Sequence, residues 1–286
     1  MNTTILKYEN WHIECQPDDG ARISVLRYAG YDLLTTAPVN FRAPATDFGE
    51  YEKRPVYGYD DCFPSVSACI HPTGKYKIRD HGLLCWLKWK VKTSVNSMIC
   101  TTECDEPKVR FTRTLELTRE AINWKFDISN HSDKSLEFLL VVHPLMPLHE
   151  ITDVSVPGFK SISIRGDSGD VPAKNPSDLN RYLLKVDKGG YKMLYLLGVN
   201  AGRIKLGFRN GMNLVMEYDH SLFHALGIWW NNSGYPDEEG IRRSECAFEP
   251  VPGINSNLEE TYKSGQYLCT GPDTSFEWNI IWRILK

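Results

Sequence analysis

Three side chains able to move protons stand beside glycine or proline: His81 in Arg79-Asp80-His81-Gly82, His143 before Pro144, and Glu249 before Pro250. An imidazole and a carboxylate can between them take a proton from one oxygen and give one to another near neutral pH, which is what general acid/base chemistry requires. The glycine after His81 lets the backbone turn or approach a ligand closely, and Asp80 and Arg79 can orient the imidazole or bind hydroxyl oxygens. A solvated histidine in a strand-entry turn is the plainer alternative. His143 ends the apolar run of residues 138–142, so it faces a cavity or the core, and a core histidine bonded to a carbonyl competes with a functional one. Glu249 follows Cys246, Ala247 and Phe248, and a carboxylate in such company is costly to bury without purpose. A capped loop carboxylate is its alternative.

Aromatic residues Tyr57, Tyr59, Phe63, Trp229, Trp230 and Tyr235 fall near these groups in loop-like stretches. Aromatic faces pack on the C–H faces of sugars, while Asp, Asn and Arg bind the hydroxyls. Of the adjacent Trp229 and Trp230 one must point inward, so only one is expected to meet a ligand. The stretch Gly166-Asp167-Ser168-Gly169 has the form of a serine-protease nucleophile loop. The Ala-Ala-His-Cys histidine motif is missing and Asp170 stands where that loop carries Gly, so chance in a polar segment accounts for it.

Strands must hold these groups. Leu87, Trp89 and Val91 alternate with lysines; Val109 to Leu117 and Ile122 to Ile128 alternate on either side of Arg119-Glu120 and form an expected hairpin. Ile204, Leu206 and Phe208 run into Asn210-Gly211, where a type I′ turn is expected before Leu214, Met216 and Tyr218. Trp278, Ile280, Trp282 and Ile284 share one face of a final strand. Helix is confined to about two turns near residues 256–263, capped by Ser256 or Asn257. Residues 166–181, rich in Gly, Asp, Pro, Ser and Asn, read as a surface excursion within one domain spanning 1–286. The expected architecture is all-β: a large sandwich of antiparallel sheets.

Composition fits that reading. The chain has 286 residues, 42% hydrophobic and 24% charged, which excludes disorder, collagen and coiled coil. A chain of this size removes about 75% of its unfolded surface from water, enough for a core that needs neither disulfides nor metals. The 33 Lys+Arg against 36 Asp+Glu leave a net charge of -3, too small to direct the protein to nucleic acid or an anionic membrane, so a small, weakly charged ligand is expected. Eight cysteines lie scattered with no Cys-x-x-Cys pair, so reduced thiols are expected rather than a zinc ribbon or redox dithiol. The amino terminus lacks the basic and apolar regions of a secretory signal, and no apolar run approaches the ~18 residues of a membrane span, so a cytoplasmic location is expected.

In order along the chain, Gly20-Ala21-Arg22-Ile23 with Leu26, Gly30, Leu33 and Leu34, Gly58-Tyr59-Asp60-Asp61-Cys62-Phe63-Pro64, Asp80-His81-Gly82 with Trp89, His143-Pro144, Glu249-Pro250 with Gly253 and Leu258, and Gly271 with Trp278 together resemble an aldose 1-epimerase of the galactose mutarotase-like superfamily. The resemblance implies a supersandwich with a sugar in an open groove, Glu249 as catalytic base, His143 as general acid, and His81 as an assisting or sugar-binding imidazole. It implies Arg79, Asp60, Asp61 and Trp229 as sugar contacts, with neither metal nor organic cofactor. A small-molecule sugar is the expected partner, and the protein is expected to be a monomer or homodimer. Two departures bear on substrate: Cys85 stands four residues after His81, where phosphate-reading relatives carry arginine, and Asp61 replaces a glutamate. A neutral hexose is therefore expected over its 6-phosphate.

Two other functions fit the same residues. A glycosidase would pair Glu249 with Asp60 or Asp61 as facing carboxylates. A sugar-binding regulator on the same fold would need no catalytic pair.

Overall fold

The computed structural model describes residues 2–165, 170–172 and 177–285, and within them the alternating stretches become antiparallel sheets. The largest has eight strands, in the spatial order Ile151–Ser155, Arg203–Phe208, Asn213–Tyr218, Ser275–Leu285, Ala121–Asn130, Val109–Leu117, Ser97–Cys104 and Lys90–Thr93. The long hairpin pairs Leu117 with Ile122 through to Val109 with Asn130. On the final strand Trp278, Ile280, Trp282 and Ile284 are buried while Glu277, Asn279 and Arg283 are exposed, as a period of two demands. Cross-strand aromatic pairs stiffen this face: Phe126 stacks on Trp278 at 4.9 Å, and Trp124 meets Trp282 at 5.1 Å.

Two six-stranded sheets complete the main framework. One runs Thr4–Tyr8, Trp11–Gln16, Arg22–Tyr28, Tyr59–Cys62, Val141–Pro144, with Tyr31–Asp32 pairing beside Arg22–Tyr28. The other runs Met146–Pro147, Arg243–Val251, Ala225–Tyr235, Gly190–Leu197, Ser161–Ile164, Asp170–Pro172. A core extending from Leu6 to Ile284 joins these sheets to the eight-stranded one. The all-β expectation holds, and no helix among the described residues is long and apolar enough to cross a membrane. All eight cysteines are free thiols.

Several local expectations change. The apolar run at 138–142 is two strands: Leu136–Phe138 pairs with Leu268–Thr270, and Val141–Pro144 pairs with Tyr59–Cys62. The stretch around Trp89 becomes strand only at Lys90, because Leu84–Trp86 is a 3-10 turn that Leu87 closes. At Asn210-Gly211 only Gly211 is left-handed (φ +84°), and the Phe208 N–H to Met212 carbonyl bond of 2.8 Å closes a three-residue turn in place of a type I′ one. The polar excursion contains a helix, Ser177–Leu184, because Leu179 and Leu183, one helical turn apart, bury in the core. Asn257, not Ser256, caps the expected helix Leu258–Ser264, accepting from the N–H groups of Glu259 and Glu260. Gly166-Asp167-Ser168-Gly169 lies outside the described residues.

Candidate active site

The segment following residue 140 changes sheets within a few residues. Val141–Pro144 pairs with Tyr59–Cys62, and immediately afterwards Met146–Pro147 pairs with Cys246 and Glu245. This crossing seats His143 against the strand Arg243–Val251, and its Nε2 lies 3.7 Å from Glu249 Oε1. Glu249 is inside that strand, opposite Gly227. A Cβ at residue 227 would come within 3.3 Å of Glu249 Oε2 and 3.0 Å of Met193 Cε, so the glycine leaves the carboxylate room on that flank.

His81 arrives from a different direction. It adopts φ +60° and the next residue, Gly82, φ +79°; a Cβ at residue 82 would lie 2.2 Å from the Phe63 carbonyl oxygen, so only glycine fits there. The His81 Nδ1 lies 3.0 Å from Asp80 Oδ1, while Asp80 Oδ2 accepts from the Tyr51 backbone N–H at 2.9 Å. The Tyr51 ring stacks on the imidazole at 3.7 Å, and its hydroxyl donates to Asp60 Oδ2 at 2.5 Å. His81 and His143 rings are 5.4 Å apart. His81, His143 and Glu249 therefore converge on one cleft of about 630 Å³.

Burial governs the proton affinities here. Removed from water by burial, Glu249 is pushed up to about 8. Burial lowers His143 to about 3, helped by repulsion from His81 and opposed by Asp60, which sits directly across the sheet from it. Between those pH values both His143 and Glu249 are therefore neutral, with the couple's one titratable proton on Glu249. His143 Nδ1 is buried with no hydrogen-bond partner among the described residues.

The cleft's walls are aromatic. Trp229 faces it while Trp230 turns into the core, as adjacent strand residues must. Tyr191, Trp229 and Tyr235 form a triangle with centroids 5.4 to 5.5 Å apart, and Phe48 adds an edge contact to Tyr235. Tyr59 and Phe63 pack in the core, and Tyr57 is buried with its hydroxyl on Gln16; none of the three lines the cleft.

Three expected sugar contacts are elsewhere. Asp61 is fully buried, accepts from Arg113 and from the Tyr59 hydroxyl, and does not line the cleft. Its carboxylate matches a core guanidinium that would otherwise be an unpaired buried charge. Asp60 lies behind His143, engaged by Tyr51 and, at 2.9 Å, by Arg22; burial pushes its carboxyl up, and Arg22, Arg54 and the tyrosine hydroxyl together hold it below the usual range. Arg79 points outward, forked onto Glu50 with its guanidinium 3.9 Å from the Trp86 ring centre. With both aspartates in ion pairs, neither faces Glu249 as a glycosidase pair requires. Among the described residues no three His, Cys, Asp or Glu side chains are grouped to hold a metal ion.

The sequence reading missed Tyr51, Glu52, Tyr191, Tyr195 and Glu245, all on the cleft. Glu245 was findable, since it shares a strand face with Ala247 and Glu249 at a spacing of two. Tyr51 and Glu52 lie in a short 3-10 turn with no periodicity to mark them.

No protein-family model and no curated protein sequence matches the chain. Solved structures do. The Slr1438 protein of Synechocystis sp. PCC 6803 superposes with a TM-score of 0.74 at 15% identity, covering 99% of this chain and 95% of that one. The galactose mutarotase related enzyme of Lactobacillus acidophilus gives 0.68 at 16%, covering 100% and 98%. A galactose mutarotase-like protein of Lactobacillus casei ATCC 334 gives 0.68 at 15%, covering 99% and 100%. End-to-end superposition at such low identity is a likeness of architecture, and the chain has the galactose mutarotase-like fold.

Proposed function

We propose that the chain, as one unit over residues 1–286, is an aldose 1-epimerase that interconverts the α and β anomers of a neutral hexose. The observation that carries this reading is the 3.7 Å approach of His143 Nε2 to Glu249 Oε1 in an aromatic-walled cleft that His81 also enters. In the ring-opening step Glu249 takes the proton of the anomeric hydroxyl, and the electrons of that O–H bond become the second bond of the C1 carbonyl. The C1–O5 bond breaks, its electron pair goes to O5, and His143 supplies the proton O5 needs. Rotation about C1–C2 and closure on the other carbonyl face, with the two groups exchanging roles, inverts the anomer.

The couple holds the single proton this cycle needs between about pH 3 and pH 8, resting on Glu249. Moving it to His143 gives carboxylate and imidazolium without changing the proton count. Sugar hydroxyls donating to the carboxylate favour that form, because hydrogen bonds to an ionised group lower its pKa.

The test is anomer exchange followed by NMR or polarimetry across neutral aldoses, with wild type, Glu249→Gln and His143→Gln. Exchange above the spontaneous rate that falls about 10²- to 10⁴-fold in each variant is expected. Sugar binding by wild type without any acceleration would favour a sugar-binding protein on the same fold instead.

A further inference from the structure

Arg243 lines the cleft with its guanidinium already engaged. Arg243 Nη1 and Nη2 donate to the two carboxylate oxygens of Glu52 at 2.7 and 2.9 Å, while Nε donates to both oxygens of Glu245 at 3.0 and 3.2 Å. Trp229 adds its indole N–H to Glu245 at 3.4 Å, and the guanidinium lies 5.7 Å from the Tyr235 ring centre. The carboxylates of Glu52 and Glu245 are nearly inaccessible, at 7% and 2%, whereas Arg243 retains 21%. The same three residues line a second cleft, of about 640 Å³, so they form the partition between the two.

The partition carries no net positive charge while Glu52 is ionised. With both glutamates ionised it carries -1; burial pushes Glu245 up despite Arg243 beside it, and with Glu245 protonated the sum is zero. Three of the five guanidinium N–H groups are consumed, leaving hydrogen-bonding capacity without net cationic charge. A phosphate dianion needs a surplus of positive charge and a free fork, and neither exists here. Of the other cations lining the cleft, Arg165 is exposed, where water and salt weaken its attraction for an anion, and the half-buried Lys192 holds its ammonium 5.6 Å from the Tyr182 ring centre.

We propose that Glu52 and Glu245 determine substrate charge: they neutralise Arg243 inside the cleft, so that it offers hydrogen bonds to a sugar hydroxyl and discriminates against sugars carrying phosphate or carboxylate. The inference rests on the epimerase reading for the place of the sugar, but its readout is binding.

Calorimetric titration of glucose and galactose against their 6-phosphates, at low and physiological salt, tests it on wild type and the Glu52→Gln/Glu245→Gln double variant. Wild type is expected to bind the neutral sugar at least about tenfold more tightly. In the double variant, whose partition becomes +1, the ratio of affinities should move at least about tenfold toward the phosphate, most strongly at low salt. Tighter phosphate binding by wild type, no measurable affinity for either class, or an unchanged ratio in a folded double variant overturns the proposal. Should the double variant not fold, Glu52→Gln alone and the wild-type comparison decide. Selectivity as described in a protein that does not accelerate anomer exchange would retain this inference and reject the epimerase reading.

Discussion

The Tyr51 ring lies 3.7 Å from the His81 imidazole and within 13° of parallel, while the Tyr51 backbone N–H holds the carboxylate that orients that same imidazole. One residue thus fixes His81 in two ways, by its ring and through Asp80. With Nδ1 engaged by Asp80, Nε2 is the ring nitrogen left for the cleft.

Replacing Asp80 by Asn should therefore disturb His81 without unfolding the protein. A hydrogen bond to a charged group contributes about 1.5–3 kcal/mol, so anomer exchange is expected to fall about 10- to 100-fold. Thermal stability should change by much less than for a core substitution. An exchange rate equal to wild type removes Asp80 from the site.

The raised pKa of Glu249 has a stability cost with a definite sign. Because its folded value of about 8 exceeds the unfolded value near 4.5, the native state binds more protons than the unfolded chain between these limits, and stability falls as pH rises through that window. Glu249→Gln cannot ionise, so it should be more stable than wild type at pH 8, by up to a few kcal/mol, with the advantage shrinking toward pH 5. Denaturant titrations at the two pH values measure this; an advantage that grows on acidification would contradict the burial argument.

His143 opposes this on the acid side. Its folded value of about 3 lies below the unfolded 6.5, so stability falls as pH drops through that interval. Between about 4.5 and 6.5 the two slopes cancel. Since the catalytic couple needs one proton, anomer exchange per bound sugar should hold through neutrality and decline above about pH 8. A pH–rate profile that rises steadily from 7 to 10 would argue against a shared-proton couple.

Trp229 and Trp230 separate binding from folding. Trp229→Ala removes a ring from the cleft wall and should weaken sugar affinity about tenfold with a minor effect on melting. Trp230→Ala empties a core position and should destabilise the fold by about 3–5 kcal/mol. Equal effects of the two on stability would mean the strand face is assigned wrongly.

Asp61→Ala leaves Arg113 as a buried charge without its carboxylate, and a loss of about 3–5 kcal/mol is expected in denaturant unfolding. Sugar affinity of the folded fraction should be unaffected. A selective loss of affinity with stability intact would return Asp61 to the cleft.

Period-two alternation determined the all-β architecture and the strands Ala121–Asn130 and Ser275–Leu285, because each half-buried strand writes its two faces into successive residues. Residue type and neighbourhood also marked out His81, His143 and Glu249. Tertiary structure alone decided that these three meet: the switch of sheets after His143 and the left-handed turn at His81 depend on partner strands distant in sequence. It also separated Asp60 and Asp61 from the cleft, since a buried guanidinium from Arg22 or Arg113 claims each carboxylate, and no local pattern records which cation a distant strand will bring. Tyr51, Glu52 and Arg243 became site residues for the same reason: their roles arise from contacts across 29, 191 and 191 positions of chain, where local periodicity carries no information.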